Sequence, residues 1–369
     1  VTIPESVTSI GSGAFAYCNL TSVTINESIT EIGSYVLLSC SNLTSVTIPE
    51  SVTSIGIGAF MGCSNLTSLT IPNFVTEIGS DAFRDCSNLS SLNFGDNIKV
   101  IRNRACENCT ALTEVIFPPS LEEVETEAFQ GCSNLKTIIM GYKVKTIGEE
   151  AFNGCPVSSI SITAQTPPEV QDNTFIDYSG KLWLQGKDAV DVYHNASPCW
   201  NQFNSYLMVE PTGIKYDGEK DLVGEVGNQF KLQATLMPDH VTLPYLFWSS
   251  TNPEIATVDR NGFVTLHANH GDVLSRAEEE GYDNNYGKCS IIAESLYANG
   301  PILEVVVQCT DSSGINAIDS DNANASGIDY TKPYDVYSIS GMKAGVSTEG
   351  LSRGIYIIRQ GTKTEKVAL

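Results

Sequence analysis

The sequence predicts a mainly β chain in three parts: a repeat solenoid with a terminal cap, a β-sandwich, and a small β module at the C-terminus. Three observations lead there. A cysteine recurs at Cys18, Cys40, Cys63, Cys86, Cys109, Cys132 and Cys155, once after 22 residues and then every 23. Past Val209 that period stops, and alternating apolar and polar runs broken by Pro, Asn and Gly begin. A polar, acidic stretch at 311–331 then isolates a short β-rich tail. A fixed period in the twenties marks stacked units, each able to bury its apolar face only against the next.

The cassette is clearest at residues 40–73, CSNLTSVTIPESVTSIGIGAFMGCSNLTSLTIPN. Its first β-prone run, L-T-S-V-T-I, recurs at 20–25, 43–48 and 66–71, with looser copies as far as 157–162. Alternation turns Val46 and Ile48 inward and Ser45 and Thr47 outward. The second run, V-T-S-I-G, recurs from 7–11 to 144–148, and its glycine suits a turn with φ > 0. An Ala-Phe pair follows, as in Ala59-Phe60 and Ala82-Phe83, on a short helical turn with Phe as the core plug. Ala105-Cys106 replaces it in one cassette, so the rung at 103–109 is expected to be the softest. Seven rungs at ~4.8 Å give a stack of roughly 35 Å with a flat surface. Lys99, Glu122 and Lys145 share one outward slot, so opposite charges neighbour each other up the stack.

Equivalent side chains of stacked rungs lie parallel and do not face each other. The seven recurring cysteines therefore read as a buried ladder of reduced thiols, without disulfides or metal. The C-x-x-C of Cys106 and Cys109 is a coincidence of two cassette slots. Cys289 and Cys309 flank a final hairpin turning at Ala298-Asn299-Gly300, which leaves a disulfide and two thiols both open.

A net charge of −22 over 369 residues argues against nucleic acid and against an anionic bilayer as partner. No run approaches the roughly 18 apolar residues of a membrane span. Val1 opens in mid-cassette and reads as cut from a longer precursor.

The cassette resembles the BspA-type leucine-rich repeat of bacterial surface proteins over 1–164. Residues 165–209 are similar to that family's degenerate capping repeat, with Tyr193, Trp200 and Phe203 expected over the last rung. Residues 210–309 resemble a bacterial immunoglobulin-like domain of group 2, through Trp248-Ser249-Ser250, Asn252-Pro253, Ile255-Ala256-Thr257-Val258-Asp259, Gly262 and Val264. The acidic stretch at 271–288 departs from that pattern as an inserted loop. Residues 310–333 form a linker, and 334–369 resemble the C-terminal sorting module of Bacteroidetes secreted proteins. Tyr337, Gly341 and Arg353-Gly354-Ile355-Tyr356-Ile357 carry that likeness.

No catalytic constellation, phosphate loop or zinc motif is present in the sequence, so no enzyme and no cofactor is expected. His267, His270 and Asp272, which Asp259 could join, and the acids Glu278, Glu279, Glu280 and Asp283, read as polar loop rather than as metal ligands. The candidate binding surface is the outward row Ser22, Thr24, Ser45, Thr47, Ser68, Thr70, Ser91 and Asn93, continuing into Glu114, Ile116, Thr137 and Ile139. Ile116 and Ile139 form an apolar strip of the kind that anchors a partner, or else are covered by the chain itself. The resemblance implies an exported, extracellular or cell-surface protein that binds a host or extracellular protein or glycan by adhesion. The alternative is a structural spacer of the cell surface without a ligand.

Overall fold

Each cassette turns once around a shared core and contributes to two parallel ladders of short strands. The first contains Ser22–Thr24, Ser45–Thr47, Ser68–Thr70, Ser91–Asn93, Glu114–Ile116, Thr137–Met140 and Ser159–Ile162, and is broken into three sheets, after Ser45–Thr47 and after Ser91–Asn93. The second runs from Glu31–Ile32 to Glu169–Val170 as one seven-stranded sheet. Register equals the cassette spacing, with Val23 beside Val46, Leu69 beside Leu92 and Val124 beside Ile147. The structure, a computed structural model, describes residues 1–171, 173–196, 199–253, 255–267, 288–310, 335–338, 343–345, 355–360 and 363–368. It divides into two compact units, Val1–Cys309 and Thr310–Leu369, so the spans 1–164, 165–209 and 210–309 fall in one unit.

The core is built from equivalent slots. Phe60 stacks on Phe83 with ring centroids 5.4 Å apart, and Phe129 on Phe152 at the same separation. At Cys106 the column is interrupted, and Phe117 meets Phe129 edge-on at 5.6 Å. The cysteine ladder is free of disulfides, and all of it is buried beyond the half-exposed Cys18. Each buried thiol donates to the carbonyl oxygen of a plug-region residue one rung earlier: Cys86 to Phe60 at 3.1 Å, Cys109 to Phe83 at 3.1 Å, Cys132 to Cys106 at 3.2 Å. Burial pushes the Cys63 thiol up to about 12, so it stays a neutral donor.

Two local expectations are corrected. The Ala-Phe segment is a run of tight turns, not a helical turn. Left-handed residues recur on either side of it: Gly58, Asp81 and Arg104 in one slot (φ 57–58°), and Gly62, Asp85 and Asn108 in another (φ 59–72°). The glycine of V-T-S-I-G, by contrast, does not sit at positive φ. A Cβ on Gly56 would lie 2.8 Å from the Ser34 nitrogen, and one on Gly79 would lie 2.7 Å from the carbonyl carbon of Gly56. Close approach of successive rungs selects it there, not backbone handedness.

The capping repeat extends the first ladder by two strands, Lys181–Leu184 and Asn204–Leu207, the latter beside Lys181–Leu184 in parallel. The expected aromatics lie where the sequence puts them. Trp200 and Phe203 pack edge-on or tilted around Phe175 at 5.9 and 5.5 Å. The Tyr193 hydroxyl donates to the Ala164 carbonyl and the Trp200 indole N–H to that of Pro168, each at 2.9 Å, so the plug is apolar and its polar tips are satisfied.

Between Gly213 and Thr310 the described strands form further sheets, antiparallel wherever their register is given. Asp221–Glu225, Ile302–Thr310, Lys288–Ser295 and Leu246–Ser250 make one, in that order; Gln229–Lys231, Phe263–Leu266 and Ala256–Val258 make another. Trp248, Ile255, Val264, Ile291 and Val305 share a core between them. The hairpin register sets Cys289 opposite Val307, and Cys289 and Cys309 are both buried with no disulfide between them. The insertion at 271–288 falls outside the described residues except for Lys288, as does the linker apart from Thr310. The second unit contains an antiparallel sheet ordered Lys343–Gly345, Asp335–Ser338, Ile355–Gln360, Lys363–Ala368.

Candidate functional site

Strand pairing aligns one outward slot in three segments: Thr24 with Thr47, Thr70 with Asn93, and Ile116 through Ile139, Ser161 and Trp183 to Tyr206. The candidate row does not stay open along its length. Ser22, Thr24, Ser45, Thr47, Ser68, Thr70, Ser91 and Glu114 are exposed, whereas Asn93, Ile116 and Thr137 are half-buried and Ile139 is buried at 4% exposure. The cover is the second β module. Ile139 packs with Met208, Leu243, Phe247, Leu296 and Tyr297, and Ile116 and Trp183 lean on the same cluster. The apolar strip is thus already occupied by the chain itself, and the surface left to a partner is the hydroxylated half.

Hydrogen bonds lock this junction. Gln185 exchanges two with Ala298, at 2.9 and 2.8 Å, Thr163 donates to the Leu296 carbonyl, and Tyr142 donates to the Glu294 carboxylate. The Tyr297 hydroxyl receives the Leu243 amide at 2.9 Å and donates to the Val209 carbonyl at 3.0 Å. Nearer the N-terminus, Asn73 donates to the Val258 carbonyl at 3.2 Å and Arg260 donates to the Asn93 side chain.

A second row runs through the turn that follows each first-ladder strand. Glu5, Glu27, Glu50, Asn73 and Asp96 are its members, one per rung. The Asn73 amide donates to a Glu50 carboxylate oxygen and the Asp96 amide to the Asn73 side-chain oxygen, each at 3.1 Å. Gly95 lets the last rung close on the one before, since a Cβ there would meet the Pro72 oxygen at 2.2 Å. Asp96 is buried at 9% exposure, and neither carboxylate oxygen receives a hydrogen bond from the described residues. Burial pushes its carboxyl up to about 7; Arg260 and the Trp248 backbone N–H oppose that shift, and Glu50 and Glu294 add to it.

Beside this row lies an open cleft of about 420 Å³, lined by Glu50 of the solenoid and Gln229, Thr257, Val258, Asp259, Phe263 and Thr265 of the second module. A narrower recess of about 30 Å³ adjoins it, sharing Glu50, Thr257 and Val258 and reaching Asp96. Sequence reading by strands misses this row because it lies in turns; aligning the cassettes on the residue after each strand-ending turn would have found it. Of the histidine and acid groups considered as ligands, only Asp259 and His267 lie among the described residues. Among those residues no cluster of three or more His, Cys, Asp or Glu is placed to hold a metal, and no helix is long and apolar enough to cross a membrane.

Parallel strands in cassette register around a shared core define a stacked repeat solenoid. Residues 1–113 and 53–180 match the BspA type leucine rich repeat region, in six copies, so the solenoid is of the BspA leucine-rich-repeat type. The chain is similar to a solved leucine-rich repeat protein from Bacteroides ovatus at 22% identity, covering 60% of this chain and 62% of that one, with a TM-score of 0.39. It is also similar to the leucine-rich repeat protein of T. pallidum, at 20% identity over 51% of this chain and 87% of that one, TM-score 0.34. A leucine rich cell surface protein from Faecalibacterium prausnitzii is similar at 20% identity over 56% of this chain and 86% of that one, TM-score 0.26. No curated protein matches the chain.

Proposed function

We propose that this chain is an exported, non-enzymatic surface protein whose solenoid binds an extracellular protein or glycan. The observation that carries the reading is the open half of the first ladder, where Ser22, Thr24, Ser45, Thr47, Ser68, Thr70 and Ser91 lie exposed on two successive parallel strand pairs. Small hydroxylated side chains on a rigid sheet lose little entropy on contact and offer both donors and acceptors. The immunoglobulin-like likeness of residues 210–309 and the sorting-module likeness of the tail support display outside the cell. The test is a binding scan of the full chain against matrix proteins and glycans, repeated with Thr47→Glu and Thr70→Glu. Loss of binding in both variants supports the reading; binding that ignores them removes the surface assignment.

A second reading, a surface spacer without a ligand, is favoured by one observation: the apolar part of the row is already buried against the second module. A scan that finds no ligand at all would favour it.

A further inference from the structure

Charge is distributed unevenly around the 420 Å³ cleft. Glu50 enters from the solenoid and Asp259 from the second module; burial raises the Glu50 carboxyl, the Asn73 amide opposes that, and Glu27 and Asp259 add to it. At the inner recess stands Asp96, more than nine-tenths buried, near Arg260 and the Trp248 backbone N–H but with no well-formed hydrogen bond to either carboxylate oxygen. An acidic group buried without a donor is costly, and nothing in the solenoid core requires one at this slot; in the next cassette the equivalent residue is Pro119.

The nearest cation offsets this charge only in part: Arg260 lies close enough to hold the Asp96 carboxyl down against the effect of burial. Arg260 donates to Asn93 and makes no ion pair with Asp96 among the described residues. Lys231 donates to the Asn261 carbonyl, with its nitrogen 4.1 Å from the Phe263 ring centroid. His267, held by Thr257 at 2.6 Å, is pushed below its ordinary value by burial and so is neutral at pH 7. Asp259 uses Oδ1 to receive the amides of Asn261 and Phe263, each at 2.8 Å. Convergent carboxylates, two hydroxyls, an amide and a space of this size form an acidic receptor that Arg260 alone does not neutralise.

We propose that this cleft binds the guanidinium or ammonium group of a basic side chain presented by a protein partner. The cation would sit between Glu50 and Asp259, with Thr257, Thr265 and Gln229 as further acceptors and Asp96 supplying charge from the recess. This rests on the binding reading above and narrows it to a protein with an exposed Arg or Lys. The overall charge of −22 would favour encounter with such a partner.

The test is calorimetric titration of the full chain with the blocked tripeptide acetyl-Gly-Arg-Gly-amide and with the same peptide carrying neutral citrulline. The arginine peptide is expected to bind saturably, the citrulline peptide at least about tenfold more weakly, and added salt to weaken binding severalfold. Glu50→Gln and Asp96→Asn, each confirmed folded by its thermal melt, should each weaken binding about tenfold. Equal affinity for the two peptides, no saturable binding, or variants that bind like the parent would each overturn the proposal. The matrix-protein scan separates the two readings. Protein binding that survives Glu50→Gln leaves the solenoid surface standing and sinks the cleft; arginine-peptide binding without any scan hit does the reverse.

Discussion

The two halves of the first-ladder face share a backbone, a register and a rung spacing, yet only one is open. Thr24, Thr47 and Thr70 are exposed, while Ile116 and Ile139, two to five rungs further on in the same slot, are covered by the second module. What changes is the side chain. A threonine row has no apolar area to gain by burial, whereas two isoleucines offer on the order of 2 kcal/mol each. An apolar strip on a repeat surface therefore marks the seat of an attached module as readily as that of an outside partner.

Four tests sharpen or break that contrast, in order of expected size. Phe83→Ala opens a hole in the column common to both halves and should cost about 3–5 kcal/mol in denaturant unfolding. A cost below about 1 kcal/mol would mean that the rungs do not stack as described. Asp96→Asn acts only at the junction. The carboxyl of Asp96 is raised in the folded state, so the stability it lends is full below pH 4 and is lost as pH rises through about 7. The parent should thus weaken between pH 4 and 8 by up to about 4 kcal/mol, and Asp96→Asn should be flatter with pH and more stable at pH 8. Parallel pH profiles for the two would refute the assignment.

Ile139→Ala should cost about 2 kcal/mol or more and speed hydrogen exchange at Leu296 and Tyr297, whereas Thr70→Ala should stay within about 0.5 kcal/mol. Similar costs at the two positions would erase the distinction between the halves. Lys145→Ala removes the ion pair with Glu122 on the solenoid surface; less than about 1 kcal/mol is expected, vanishing at high salt. A larger, salt-resistant loss would mean that this pair is shielded from solvent.

The solenoid was legible because its period is rigid: a slot seen seven times names its own neighbours, so the thiol ladder, the inward Val and Ile and the capping aromatics could be placed before any coordinate. The glycine of V-T-S-I-G was legible as a requirement but not as a reason, since rung-to-rung backbone distance is not written in one cassette. The junction was only half legible. Ile116 and Ile139 were visible as misplaced apolar residues, but their partners Phe247, Leu296 and Tyr297 look from sequence like ordinary strand and turn residues of their own module. Asp96 passed unnoticed because an acid after a glycine reads as a solvated turn until a second domain is placed against it.

The thiol column also equips the molecule with an internal reporter. Each rung from Cys40 to Cys155 has a sulfhydryl at the same depth, capped by a neighbour's carbonyl, and a bulky alkylating reagent reaches it only when that rung parts from the last. Mass spectrometry of timed labelling would then read the sequence in which the coil frays, one turn at a time, with Cys18 as the zero mark.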